Sequence, residues 1–453
     1  MASIPEEPAC SCPPDRVHRT TLLIMRGDSR ISWSSPVPFE INRRHATLIH
    51  EFVGALFGLL SVGHDRHLVG NHTYQGGPTL HVDRLKNLDQ CLGIARSWDC
   101  MSHGVAFRRA AWLHNWWRHY GAGRELFVLT VRNARDQLVG IAPCYVASSV
   151  RHGRVVRLLG DGVVCSDHLG LLATPEYRDA VAEALARWMT QASQGEHGAE
   201  NRWHALHLDG VDGNDKLVAL LAARMTILGN RVHCQTRFQY WKVTLGNSWE
   251  EYLAAMSKTR RKVVRRMRRR YFDTGRATVK TVTSTDGWDD AMRVFVDLHQ
   301  RRRESLGQPG CFADAQFNAF LHAAARDLRA RGVARLYLLE LDGQPAAAEF
   351  SLVDGDTMFA YQSGIEPAAL DVGPGALLQT ATIRDALDQQ CRTFDFLRGD
   401  EPYKALWGAE PACGVEYRIV AHKPSAHLRH QAWLAGDTMK QWIKSGLAAT
   451  GIV

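Results

Sequence analysis

Residues 370–387 read LDVGPGALLQTATIRDAL. Gly373 and Gly375 flank Pro374 just ahead of an apolar, helix-spaced run, so the pattern predicts a strand, a tight turn and a helix from Ala376. Glycines let the backbone approach a ligand closely, and the first turn of a helix offers unpaired N–H groups at the positive end of its dipole. Such a turn can cradle a pyrophosphate through Gly373, Gly375 and the N–H groups of Ala376 and Leu377. It can equally be a plain connection in which Pro374 only starts the helix, and the turn alone leaves both readings open. Its surroundings carry more. Arg335 to Leu341 turns through Asp342-Gly343 into Pro345 to Val353, which turns through Asp354-Gly355-Asp356 into Met358 to Ser363. Beyond the helix, Thr393 to Leu397 has the β-branched and aromatic make-up of a buried strand.

The same grammar is written earlier in the chain. AAWLHNWWRHYG reads as an aromatic-rich helix, Leu126–Val131 and Gln137–Val146 as a hairpin, and Val155–Leu159 as a third strand. A helix (Pro175 to Gln191), a strand (Trp203 to Leu208) and a helix (Asn214 to Leu228) follow. LFVLTVRNARDQLVGIA and LYLLELDGQPAAA look like one hairpin written twice, as a duplication would leave them. No Gly-rich turn precedes the first-half helix, which begins from ATPEYRDAV. The expectation is an α/β protein of mixed sheets in two tandem halves, residues 91–235 and 236–425. A poorly ordered extension is expected over 1–90 and a helical tail over 426–453.

At 453 residues with 45% hydrophobic and 23% charged side chains the chain can bury real cores. A formal charge of +8 suits an anionic partner without choosing among CoA, an acidic polysaccharide, nucleic acid and a membrane face. The ten cysteines are scattered, with no CxxC pair and no zinc-ligand spacing, so reduced thiols and no metal are expected. The start, MASIPEEPACSCPPDR, has no apolar core for a secretory signal, and Phe52–Val62 is too short to span a bilayer, which needs ~20 residues. A soluble, cytoplasmic protein is expected. GxSxG, GxxxxGK[ST], HExxH and dinucleotide GxGxxG patterns are all absent.

Five stretches carry a resemblance: AAWLHNWWRHYG, RLLGDGVVCSDHLGLL, LHQRRRESLG, YQSGIEPAALDVGPGALL and, most specifically, FDFLRGDEPYKALW. Over residues 92–420 they resemble the CelD/BcsL family of acetyltransferase-like proteins, also described as a BioF2-like acetyltransferase domain of the GNAT superfamily. The resemblance implies two GNAT-like halves, related in plan to the Fem-type aminoacyltransferases. It also implies acyl transfer from acetyl-CoA or another acyl-CoA to a sugar or amine of cellulose or exopolysaccharide metabolism, alongside polysaccharide-synthesis proteins. The GNAT pyrophosphate pattern has Gln or Arg, two residues, Gly, one residue, then Gly or Ala. Gly373 and Gly375 match it, and Leu370 stands in the first position. Aminoacyl transfer from charged tRNA and a non-catalytic module of a synthase assembly are the alternatives.

Acyl transfer needs a base for the acceptor and an acid for the departing thiolate. Glu349, in AAAEFSLV, is a lone acid in an apolar strand, which is costly unless used or paired. Tyr361 and Gln362 on the next strand are read as lining the same pocket. His299 follows Trp288, Met292 and Phe295 at helical spacing and sits on an apolar face, as a packed core residue or a base. Asp395 alternates with Phe394 and Phe396, so it faces the other way and needs a partner, with Arg398 or Lys404 available. The strand's end delivers Arg398, Asp400, Tyr403 and Lys404 to a rim, with Trp407 beyond, either as a site or as an ion-pair knot with Trp407 packed beneath. Asp167-His168 read as a hydrogen-bonded turn or as lining of the cleft between halves. Since no cysteine has an evident base partner in sequence, direct transfer is expected in preference to an acyl-enzyme. KTRRKVVRRMRRR, Lys258 to Arg270, follows a capping box at Ser248 and Glu251 and reads as an amphipathic helix with its arginines solvated, so nucleic acid is not expected.

Overall fold

Two runs of strands, each with the order of the other, make one mixed sheet. The computed structural model describes residues 79–449, with side chains to 436, so the extension expected over 1–90 lies outside the described residues as far as 78. In the first half the strands are β1 (Leu80–Leu85), β2 (Glu125–Asn133), β3 (Leu138–Ser149), β4 (Gly153–Leu158), a short β5 (Leu172–Ala173) beside β3, β6 (Ala205–Asp212) and β7 (Arg231–Thr244). In the second they are β8 (Ala277–Val282), β9 (Ala334–Leu341), β10 (Gln344–Asp354), β11 (Thr357–Ile365), β12 (Thr393–Arg398) and β13 (Glu410–Val420).

Their order across the sheet is β1-β2-β3-β4-β6-β13-β7-β12-β11-β10-β9-β8. It is a palindrome in which each half ends on a strand donated to the other: β13 lies beside β6, and β7 beside β12. The hairpin repeat seen in the sequence is β2–β3 against β9–β10, at equivalent places. Each half also has one parallel pair after a helical crossover, β4 with β6 and β11 with β12. Thr79–Trp433, holding both halves, form one compact unit.

Residues 80–85, placed by the sequence in the extension, pair with β2 over six positions, because Leu80 and Val82 alternate toward the core. β7, β8 and β13 have no counterpart in the sequence reading. β7, RVHCQTRFQYWKVT, is crossed by polar networks on both faces, and no clean alternation survives in it.

In the second half the two sheet faces differ. One face carries Phe350, Phe359 and Tyr361 against the helices Trp288–Ser305 and Ala315–Arg329. At Gly364 a Cβ would sit 2.3 Å from the backbone nitrogen of His299, so only glycine lets this helix lie so close to β11. The opposite face carries Ala347, Met358, Phe394 and Phe396 under the helix Pro374–Asp388, with Trp249, Tyr252 and Trp407 completing that core. The helix Pro424–Ala449 ends the described chain.

Candidate functional site

β11 and β12 are paired only from Thr357 with Thr393 to Phe359 with Asp395, and then they part. β11 runs on to Ile365, so its backbone beyond Phe359 offers N–H and C=O groups on the side that β12 has left. The register shift between Phe350 and Ser351 makes Tyr361 the extra residue of a β-bulge, which bends the strand further away.

The helix Pro374–Asp388 starts beside this opening, two residues earlier than expected, because Pro374 fits its first position. Gly373 caps it with φ +74°, a left-handed conformation natural to glycine, and the space where its Cβ would stand is empty. A Cβ on Gly375 would meet the Ile365 side chain at 2.9 Å. Ala376 and Leu377 donate back to the Gly373 carbonyl, and the Leu377 side chain is buried in the core.

Glu349 faces the side of the sheet that carries this helix. Its carboxylate accepts the Ser351 hydroxyl at 2.7 Å and is 4% exposed, and burial pushes its pKa up to about 7. Tyr403, in the short helix Tyr403–Leu406 after β12, packs edge-on against Phe396 on that face. Burial, then the charges of Glu401 and Glu349, hold its phenol above its ordinary pKa. Tyr403, Leu370 and Leu406 are each about half exposed.

Other residues singled out from sequence lie elsewhere. His299 is on the far face, against Phe295 and Phe312, and burial lowers its pKa to about 4. Its Nδ1 is 3.3 Å from Gln300 Oε1, and Gln362 is a further hydrogen-bonding partner. The sequence offered no base to any cysteine, yet Cys311 Sγ lies 3.6 Å from His299 Nε2. The thiol is pushed up to about 12 by burial, so the pair is neutral and holds no thiolate. Tyr361 is a core residue, ringed by Phe107, Trp112 and Phe350, and its hydroxyl donates to the Val164 carbonyl in the other half.

Asp395 faces away from Phe394 and Phe396 as expected, but its partner is neither Arg398 nor Lys404. His168 Nε2 bonds its carboxylate at 2.8 Å, His168 Nδ1 stands 3.2 Å from Asp212, and Lys242 bonds Asp212 at 2.7 Å. Arg398 instead pairs with Asp167 and stacks on Phe238. Lys404, 2% exposed, donates to the carbonyls of Leu397, Arg398 and Gly399 and pairs with Glu401. Its ammonium holds the turn that Leu397, at φ +60°, and Gly399 require. Asp400 accepts weakly from Trp241 Nε1 at 3.4 Å, and Trp407 is buried, its carbonyl accepting from Tyr252. Sequence reading missed the union of Asp167-His168 with Asp395 and Arg398, since 227 residues separate His168 from Asp395.

A parting parallel pair with a Gly-capped helix at its mouth is the feature to compare with known proteins. Residues 258–405 match the family model of the acetyltransferase (GNAT) domain. The matched segment runs from the arginine-rich helix through both glycines to Ala405. Nothing among the curated proteins matches the chain. Among solved structures, FemX is similar in fold, with a TM-score of 0.53 at 13% identity, over 77% of this chain and 99% of that one. L-PGS from Bacillus licheniformis has a TM-score of 0.45 at 9% identity, over 79% of this chain and 97% of that one. A tandem GNAT protein from the clavulanic acid biosynthesis pathway has 0.41 at 15% identity, over 76% and 99%. The fold is thus GNAT-like. Among the described residues no cluster of His, Cys, Asp or Glu could hold a metal ion, and no helix is long and apolar enough to cross a membrane.

Proposed function

We propose that the second half is an acyltransferase that takes its acyl group from a CoA thioester and passes it directly to an amine or hydroxyl of a saccharide. In this reading the chain is a CelD/BcsL-type relative acting in cellulose or exopolysaccharide metabolism. The observation that carries it is the parting of β11 from β12 beside the glycine-capped N-terminus of the helix Pro374–Asp388. The diphosphate of the donor sits against Gly373 and the Gly375 N–H, where the helix dipole and the open space beside Gly373 favour an anion, the Ala376 and Leu377 N–H groups being already bonded to the Gly373 carbonyl. The amides of its pantetheine arm pair with the free edge of β11, as an added strand does.

Glu349, with its pKa near neutrality, takes the proton of the attacking amine or hydroxyl. The new bond forms at the thioester carbonyl, the C–S bond breaks, and Tyr403, protonated at neutral pH, returns a proton to the leaving thiolate. Direct transfer accords with the protonated state of Cys311. His299 and Asp395, on the other face, serve packing and the joint between halves in this scheme.

Leu370, in place of Gln or Arg, favours a second reading, aminoacyl transfer from charged tRNA as in Fem-type enzymes, and the FemX-like fold is compatible with it. Calorimetric titration of acetyl-CoA and longer acyl-CoAs into the full chain separates the two. The full chain is needed because a fragment starting at Leu92 would lack β1. Micromolar binding, about 8 kcal/mol, is expected for the wild type and none for the Gly373→Val, Gly375→Val variant. A folded wild-type chain that binds no acyl-CoA overturns the reading.

A further inference from the structure

The helix Lys258–Met267 continues into a π-helical turn, Arg268–Phe272, and together they hold the densest charge in the chain. Val264 and Tyr271 anchor one side in the core under the sheet face that carries Glu349 and the glycine-capped helix. The other side exposes Lys258, Lys262, Arg265, Arg266, Arg269 and Arg270, and none of them forms an ion pair among the described residues. Arg268 has a partner, Asp273, at 3.4 Å. Like charges at helical spacing repel one another, so this face costs stability and calls for an anion from outside.

One end of the row reaches Trp407, at the end of the short helix that begins with Tyr403. Arg260 stacks 4.3 Å over the Trp407 ring, three residues after Lys404, and its Nε is buried without a hydrogen-bond partner. From Lys258 the row then runs for about 18 Å at 1.5 Å per residue. The other end overlooks a cavity of about 330 Å³, lined by Trp249, Arg268, Phe272, Arg384, Asp385 and Asp388 among others. Aromatic rings beside carboxylates and guanidinium groups suit a sugar ring, whose hydroxyls both donate and accept.

We infer that this face holds an anionic polysaccharide, a chain bearing carboxylates, and delivers it to the acyl-transfer site as the acceptor. The inference rests on the acyltransferase reading and gives its acceptor a chemical class. Guanidinium groups bind carboxylates in two-pronged pairs, and the excess of Arg over Lys in the row fits that use. A membrane surface fits less well, because the apolar side of the helix is committed to the core. A nucleic acid fits less well too, because no exposed aromatic side chain stands among the arginines to stack bases.

The test is binding of polygalacturonate to the full chain, followed by fluorescence at several salt concentrations. Neutral dextran, poly(U) RNA and anionic phospholipid vesicles are the comparisons. Polygalacturonate is expected to bind, with an affinity that falls steeply with salt, while dextran does not bind and poly(U) and the vesicles bind at least tenfold more weakly. The variant with Arg265, Arg266, Arg269 and Arg270 replaced by Gln, all exposed and unpaired, is expected to lose affinity at least tenfold and to have a shallower salt dependence. Its thermal unfolding checks that it is folded. Equal or tighter binding of poly(U) or vesicles, an unchanged variant, or displacement of the glycan by CoA each overturns the inference; displacement would mean that the row serves the donor's phosphates. A chain that binds polygalacturonate and no acyl-CoA overturns the donor reading alone, and one that binds acyl-CoA and no polygalacturonate overturns this inference alone.

Discussion

The imidazole of His168, in one half of the sheet, bonds the carboxylate of Asp395, in the other, at 2.8 Å, and both are almost wholly buried. Both ring nitrogens of His168 face carboxylates, which favours the charged form of the ring. Burial opposes that charge, but the attraction of Asp395 and the bonds to Asp212 and Asp395 outweigh it and raise the pKa above its ordinary value.

His168→Gln should therefore cost about 3 kcal/mol by leaving Asp395 short of a partner, as read by chemical denaturation. A raised histidine pKa stabilises fully below the unfolded value of 6.5 and loses that contribution as pH rises through the folded value. The gap between wild type and variant should be largest near pH 6 and shrink in alkali. A gap that does not change with pH would mean that the ring is neutral.

Glu349→Gln is expected to lower kcat by about 10² to 10⁴ if Glu349 is the base. Stability should move the other way. The carboxyl is raised from 4.5 to about 7. Below pH 4.5 both folded and unfolded states are protonated and no cost arises. Above it the cost grows to a plateau beyond pH 7, worth about 3 kcal/mol. The variant should thus gain stability over wild type between pH 4 and pH 8. Equal pH dependence of the two unfolding curves would argue against a perturbed carboxyl.

Lys404→Met removes the ammonium that satisfies three carbonyls and leaves them buried. A loss of about 3 to 5 kcal/mol is expected, with acyl-CoA affinity unchanged at temperatures where the variant is folded. If kcat falls while the melting temperature holds, Lys404 is catalytic after all.

With its thiol protonated beside a neutral His299, Cys311 should not carry the acyl group. Cys311→Ala is expected to keep kcat within about threefold, and intact-mass spectrometry of the wild type under turnover should find no acyl adduct. An adduct lost in the variant would establish a covalent route.

The elements of the second half from Arg335 to Leu397 were legible because each is a strong local pattern: hairpin turns at Asp342-Gly343 and Gly355, a proline and two glycines ahead of a helix, a buried aromatic strand. Glu349 was legible too, since an acid in an apolar strand stands out. β7 and β13 were not, because a strand that lies under polar networks keeps no alternation, and β1 is too short a signal without its partner β2.

The sequence by itself determined the order of elements from Arg335 to Leu397, the repeated hairpin, the glycine-capped helix and the isolated carboxyl, all of which follow from steric and burial preferences acting over a few residues. Only the tertiary structure decided which of the charged residues do what. It sent Glu349 and Tyr403 to one face of the sheet and His299 and Asp395 to the other, gave Asp395 to His168 and Arg398 to Asp167, and committed Lys404 to backbone carbonyls. Those pairings depend on the exchange of β7 and β13 between the halves, which joins residues more than 200 positions apart, and the ion pairing of a buried group depends on distances of a few ångströms that no local pattern contains.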